Sequence, residues 1–369
     1  MKYLKTLKQF ASEFITKTKV DISRGVRHTV RLHGPSGIGK TAIVKQLVER
    51  LAEETGEPWG FKTINIANHG AWDLLGVPDI VEIEGTRKTT FAPPDFLPDL
   101  NVEGTPAHGI FFIDEIDTAE GDMVNALMPL LYEGKVSSNY TLPEGWVIVS
   151  AQNRLVDSSG SRVSPNVANT RRAIDVGIYA DANDLADYAS SSNWNPLIAA
   201  FLTFRPELVH EYPNGIDAKI AKNITGFACP ATWEMTNDYL HYGYSDDVLQ
   251  GYLSDGVLGE AVTKEFCKFI KIVKELPNWA DICKGARPDV SKSDVSIKYA
   301  LTSSLAHQAI NGHYPKAWAN CISYCHEVLG PEFGVIFVRL ATAKYPELKD
   351  TPEYRDYKTI NQDLFINNQ

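Results

Sequence analysis

Apolar residues recur along the chain with two spacings, and the spacing changes part-way. Between residues 25 and 182, strand-length apolar runs alternate with runs of helical period; from 183 onward only the helical period persists. His28-Thr-Val-Arg-Leu-His33 alternates as a strand does, and Thr41-Ala-Ile-Val-Lys-Gln-Leu-Val-Glu-Arg-Leu51 reads as a helix. Gly109-Ile-Phe-Phe-Ile-Asp-Glu115 and Trp146-Val-Ile-Val-Ser-Ala151 are continuous apolar runs, the pattern of strands buried on both faces of a parallel sheet. A last strand follows Arg172. Ile80–Phe91, alternating around a glycine, and Lys135–Leu142 read as two hairpins interrupting the sheet. Residues 1–20 read as a basic amphipathic helix with Leu4, Leu7, Phe10, Ala11, Phe14 and Ile15 on one face, packed on the core.

This pattern predicts an α/β fold: an N-terminal helix (1–24), a doubly wound parallel-sheet domain (25–182), a helical domain (183–290) and a helical C-terminal extension (291–369). Val295–Ile310, Lys316–Leu329 and Phe333–Ala343 are the helices expected in the extension, and Leu276-Pro277 and Arg287-Pro288 mark breaks. Cys321 and Cys325, with His326 beside them, match no common zinc spacing and read as core thiols. Trp72, Trp146 and Trp233 read as packing residues.

Between the first strand and its helix stands Gly34-Pro35-Ser36-Gly37-Ile38-Gly39-Lys40-Thr41, a full match to G-x-x-x-x-G-K-[ST]. A strand, a glycine turn and a helix start aim several backbone N–H groups at one point, which suits a phosphate. Lys40 is placed to reach β- and γ-phosphates, and Thr41 to hold Mg2+. Nothing in this loop distinguishes ATP from GTP.

The apolar run 109–115 ends in two acids. Asp114 is suited to hold magnesium with Thr41, and Glu115 to orient and deprotonate an attacking water. Trp146–Ala151 runs into Gln152-Asn153, placing an amide at a strand tip where it can touch phosphate and water. Arg171 and Arg172 precede the last strand and suit an arginine finger presented to a neighbouring subunit, with Arg162 a further candidate.

The charge sharpens the choice of partner. Across 369 residues there are 36 Lys+Arg and 46 Asp+Glu, a net −10, which disfavours a nucleic-acid partner. Residues 1–50 hold 11 of the basic and 3 of the acidic residues, a local +8 that leaves −18 for the remainder. Five cysteines and no apolar run of membrane length point to a cytoplasmic protein without membrane association, and the lysines of the first residues speak against a signal peptide.

The order of these features resembles the AAA+ ATPases, and more narrowly the MoxR-like group of bacteria and their bacteriophages. Asp73-Leu-Leu-Gly-Val-Pro78, Phe91-Ala-Pro-Pro-Asp-Phe-Leu-Pro98, Ala126–Lys135, Tyr140–Trp146 and Pro230-Ala-Thr-Trp-Glu234 carry the narrower likeness. The resemblance implies strand order 5-1-4-3-2, Lys40 and Thr41 as the Walker A pair, and Asp114 and Glu115 as Walker B. It further implies Asn153 as sensor 1, Arg171 or Arg172 as the trans-acting arginine, and a helical lid over 183–290. It implies a homo-oligomeric ring, usually a hexamer, with ATP and Mg2+ between subunits. The hairpins correspond to inserts facing the ring pore, making Arg87, Lys88, Phe91 and Tyr140 candidate pore contacts.

Two departures stand out. The lid motif carries Ala231 where relatives have the sensor 2 arginine, with Arg205 as a candidate substitute; Thr170 stands where one alignment puts the finger. The implied activity is ATP hydrolysis driving the remodelling of a protein client, beside a separate partner with a von Willebrand factor A-type domain. The alternatives are a nucleic-acid motor or loader on the same core and a nucleotide-gated scaffold with little turnover.

Overall fold

The computed structural model describes residues 4–83, 85–136, 140–154, 173–211, 226–273, 276–290, 293–308 and 316–367. These residues fall into two compact units that part after Tyr179.

The strands of the first unit, in chain order, are β1 (Leu4–Thr6), β2 (Thr29–His33), β3 (Trp59–Asn65), β4 (Val77–Ile83) and β5 (Thr86–Ala92). They continue with β6 (His108–Asp114), β7 (Lys135–Val136), β8 (Tyr140–Thr141), β9 (Trp146–Gln152) and β10 (Ala173–Tyr179). Six form one all-parallel sheet in the order β1-β10-β2-β9-β6-β3. Leaving β1 aside, this is the expected 5-1-4-3-2. The centre is apolar throughout: Ile110–Ile113 and Val147–Val149 are buried, as the two continuous apolar runs require. Each such side chain contributes roughly 1.5–3 kcal/mol by leaving water.

The N-terminal element departs from expectation at its start. Leu4–Thr6 pair with Gly177–Tyr179 as an edge strand, and helix α1 begins only at Leu7, running to Ser23. Thr6 ends the strand and caps the helix. Its hydroxyl accepts from the Gln9 N–H while the Gln9 side chain accepts from the Thr6 N–H, both at 3.2 Å. Phe10, Ala11, Phe14 and Ile15 are buried, and α1 packs on helix α2 (Lys40–Thr55).

Both hairpins form: β4 pairs β5 from Val77–Ala92 to Ile83–Thr86, and β7 pairs β8. Arg87 and Lys88 are exposed and Phe91 is half-buried. Tyr140 is not available as a pore contact. Its ring is buried and its hydroxyl donates to the Pro98 carbonyl at 2.7 Å, so it fastens the hairpin to the unit. Trp146 and Trp233 pack as expected, but Trp72, on helix α3 (Ala71–Leu75), is 75% exposed. Its helix is too short to bury more than one residue, and Leu74 takes that place.

The second unit is helical. In chain order its helices are α4 (Ala182–Ser191), α5 (Pro196–Phe204), α6 (Pro230–His241), α7 (Asp246–Tyr252), α8 (Glu260–Val273) and α9 (Trp279–Cys283). They continue with α10 (Val295–His307), α11 (Ala317–Tyr324), α12 (Pro331–Lys344), α13 (Pro352–Ile360) and α14 (Gln362–Asn367). One core gathers residues from Ala182 to Tyr357, with Phe201 set against Trp233, Phe266 and Phe269 at centroid distances of 5.6, 5.1 and 5.4 Å. Cys321 and Cys325 are buried in it, as core thiols should be. Among the described residues no helix is long and apolar enough to cross a membrane.

Candidate nucleotide site

The carboxyl ends of β2, β6 and β9 converge because their registers align: His33 lies opposite Gln152 and Ile113 opposite Ser150. The chain leaves β2 through Gly34–Gly39 and enters α2 at Lys40. Gly37 and Gly39 hold φ of 75° and 95°, the left-handed region that glycine adopts freely. A Cβ at Gly34 would stand 2.5 Å from Ile38 Cδ1 and 2.9 Å from the Ile178 carbonyl oxygen, so this approach excludes every other residue. Ile38 is buried beneath the turn and Ser36 is exposed on it.

Lys40 is buried, and its ammonium donates to the Gly34 carbonyl at 2.9 Å, the Pro35 carbonyl at 2.8 Å and Asn153 Oδ1 at 3.0 Å. The Thr41 hydroxyl donates to Asp114 Oδ2 at 2.8 Å. The other Asp114 oxygen accepts from the Glu115 N–H at 3.0 Å. Glu115 is one of two non-glycine residues with positive φ among those described, at φ 52° and ψ 41°. The chain turns sharply there as it leaves β6, leaving the side chain half-buried beside Asp114.

Asp117 escaped the sequence reading. It is buried, and its Oδ1 accepts from the Asn153 N–H at 3.3 Å, tying the turn after β6 to the tip of β9. Burial pushes its pKa above the usual aspartate value, while the Asn153 N–H and nearby Lys40 pull the other way. The available signal was a third acid in Asp114-Glu115-Ile116-Asp117 with apolar neighbours. On the other side of β2, buried Arg31 grips Asp175 with Nε at 2.6 Å and Nη2 at 2.9 Å, and His33 Nε2 lies 3.1 Å from the same carboxylate. Burial would raise Asp175, but the hydrogen bonds from Arg31 and His33 and the Arg31 charge outweigh it and hold its pKa below the aspartate norm.

The structure thus brings together Lys40, Thr41, Asp114, Glu115 and Asn153. Arg162, Arg171 and Arg172 lie outside the described residues. In the second unit Arg205 is engaged by Glu207, at 2.6 Å, and by Glu265. Ala231 sits exposed in the first turn of α6.

With that geometry, residues 29–169 match one family model. It is the AAA domain of the dynein-related subfamily. The match spans the phosphate loop, the acid pair and the Asn153 strand. No curated protein sequence matches. Among solved structures, a mutant of Thermotoga maritima RuvB is 15% identical, with 86% of this chain and 91% of that chain covered and a TM-score of 0.36. The Aeropyrum pernix ORC2 protein is 12% identical, with 93% and 87% covered and a TM-score of 0.41.

The residues present fit a magnesium nucleotide. Gly37 and Gly39 hold left-handed backbone, which lets the N–H groups of the loop turn toward one point as a phosphate requires. Thr41 and Asp114 pair a hydroxyl with a carboxylate, hard oxygen donors that suit Mg2+.

Proposed function

We propose that this chain is an ATP-hydrolysing motor of the AAA+ class, MoxR-like, that works as a homo-oligomeric ring and remodels a protein client. One observation supports the reading above others: Lys40, Asn153 and Asp117 form a hydrogen-bonded array beside the Thr41–Asp114 pair, across three adjacent strand ends. Bound MgATP supplies the phosphoanhydride whose cleavage drives the cycle. Backbone N–H groups of Gly34–Gly39 hold the phosphates, Lys40 neutralises their charge, and Thr41 and Asp114 hold the metal. Glu115 takes the proton of the attacking water, and Asn153 orients that water from the tip of β9. Arg171 or Arg172 of a neighbouring copy completes the site. The ring as a hexamer, the separate von Willebrand factor A-type partner and the cytoplasmic setting belong to the same reading.

The basic N-terminal segment favours a nucleic-acid motor as a second reading, but part of that charge is internally engaged. Lys5 pairs with Glu13, Lys17 with Asp21, Lys19 with Glu54 and Arg31 with Asp175. Salt-dependent retention on DNA would favour that reading. Ala231 motivates a third, a scaffold that binds ATP with little turnover.

The test is phosphate release from ATP across protein concentrations, with Glu115→Gln alongside. Specific activity that climbs with concentration and vanishes in the variant supports a site shared between copies. Equal inertness of both proteins at every concentration, with ATP still bound, supports the scaffold.

A further inference from the structure

The second unit carries a surface that the nucleotide reading leaves unused. Four tyrosines meet where α6 turns into α7. Tyr239 lies 5.8 Å from Tyr242 and 5.4 Å from Tyr252, and Tyr244 lies 5.7 Å from Tyr242 and 5.5 Å from Tyr252, between ring centroids. Packing them together does not hide them: Tyr242 is 64% exposed, Tyr252 50% and Tyr244 42%. Met235, one turn before Tyr239, and Val248, one turn before Tyr252, are exposed too. So five of the 16 large apolar side chains exposed among the described residues fall within residues 235–252. A concentration of that kind marks an interaction surface rather than scattered surface residues.

The charge of the segment that carries the rings selects the partner. Between residues 226 and 259 there is no lysine or arginine, while Glu234, Asp238, Asp246, Asp247 and Asp255 are all exposed. His241 turns Nδ1 to the Asn237 carbonyl at 2.8 Å. We propose that this tyrosine cluster, rimmed by carboxylates, docks a lysine- and arginine-rich segment of a partner protein. Ring faces attract ammonium and guanidinium groups, and the carboxylates steer and hold the same cations. Tyrosine rings also stack on nucleobases, but five carboxylates and no basic side chain in the segment repel a phosphate backbone. A second copy of the chain is a weaker match. Of its basic stretches, residues 1–50 have Lys5, Lys17, Lys19 and Arg31 engaged with the chain's own acids, and on α8 Lys264 pairs with Glu260. The proposal rests on the second unit alone and stands whether or not the chain hydrolyses ATP.

The experiment is fluorescence anisotropy of a labelled peptide of alternating lysine and arginine, titrated with the full chain at about 0.1 M ionic strength. A glycine–serine peptide and a thymidine oligonucleotide serve as comparisons. Saturable binding of the basic peptide alone is expected. Tyr242→Ala combined with Tyr252→Ala should weaken it about tenfold, whereas Tyr242→Phe keeps the ring and the affinity. Asp238→Lys, an exposed change that leaves packing alone, should weaken it comparably, with circular dichroism melts verifying the fold of each variant. Absence of saturable binding, or affinity untouched by both the paired tyrosine change and Asp238→Lys, overturns the proposal. So does oligonucleotide binding that those changes abolish, or self-association in sedimentation velocity that they dissolve.

Discussion

Asp117 links two strand tips and is held where its charge is disfavoured, so its contribution to stability depends on pH. Burial raises its folded pKa above the unfolded value, so that contribution is complete below the unfolded pKa and lost as pH rises through the folded one. Asp117→Asn keeps an oxygen for the Asn153 N–H and carries no charge. Its stability relative to the parent should rise as pH climbs past the ordinary aspartate value in urea titrations, while its ATP turnover falls more than its ATP affinity. A stability difference that stays flat with pH would refute the assignment. Asp175 behaves in the opposite sense. Its pKa is depressed by Arg31 and His33 against the pull of burial, so its contribution is present above the unfolded pKa and lost as pH falls through the folded one. Asp175→Asn leaves the buried Arg31 guanidinium short of its counter-charge and should cost about 2 kcal/mol at neutral pH, less than a fully buried pair because Asp175 is half exposed. Chemical denaturation at pH 7 measures it, and the loss should shrink in acid. Lys40, Thr41, Asp114 and Asn153 were legible from motif and order. Asp117 was not, because its role is a contact to a strand 36 residues on that no local pattern announces.

At the scale of elements, the strands were legible wherever burial on both faces forced continuous apolar runs, and the helices wherever one face had to be apolar. The edge strand β1 was missed for a physical reason. Leu4–Thr6 continue the apolar spacing of the helix, and only pairing with β10, near residue 177, recruits them into the sheet. The capping box at Thr6 and Gln9 was a local signal for the true start. Thr6→Ala removes the cap and should lower stability by about 1 kcal/mol, seen as a reduced thermal midpoint. An unchanged midpoint would mean that β1 pairing alone fixes the helix start. Trp72 shows the same limit from the other side, since its aromatic character suggested packing that a five-residue helix does not provide.

At the scale of the molecule, each unit has its own apolar core, and the core of the second draws on residues from both halves of 180–369. Expressed alone, residues 180–369 should give a helical circular dichroism spectrum and a cooperative melt. A gradual loss of helix on heating would show that the unit depends on the first. The sequence carried the sheet order, through a resemblance anchored in the phosphate loop, and the helical content that follows it. How the helices share one core was beyond it, because helical period reports which face is apolar and not which neighbour covers it.

The turn at Glu115 carries a further implication. A glutamate with φ of 52° occupies backbone territory where glycine is at ease. Glu115→Gly should therefore make the protein more resistant to urea, by about 1 kcal/mol, while abolishing phosphate release. A sequence tuned for durability alone would carry glycine there. On the proposed reading stability and activity pull this position in opposite directions, and the chain keeps the carboxylate.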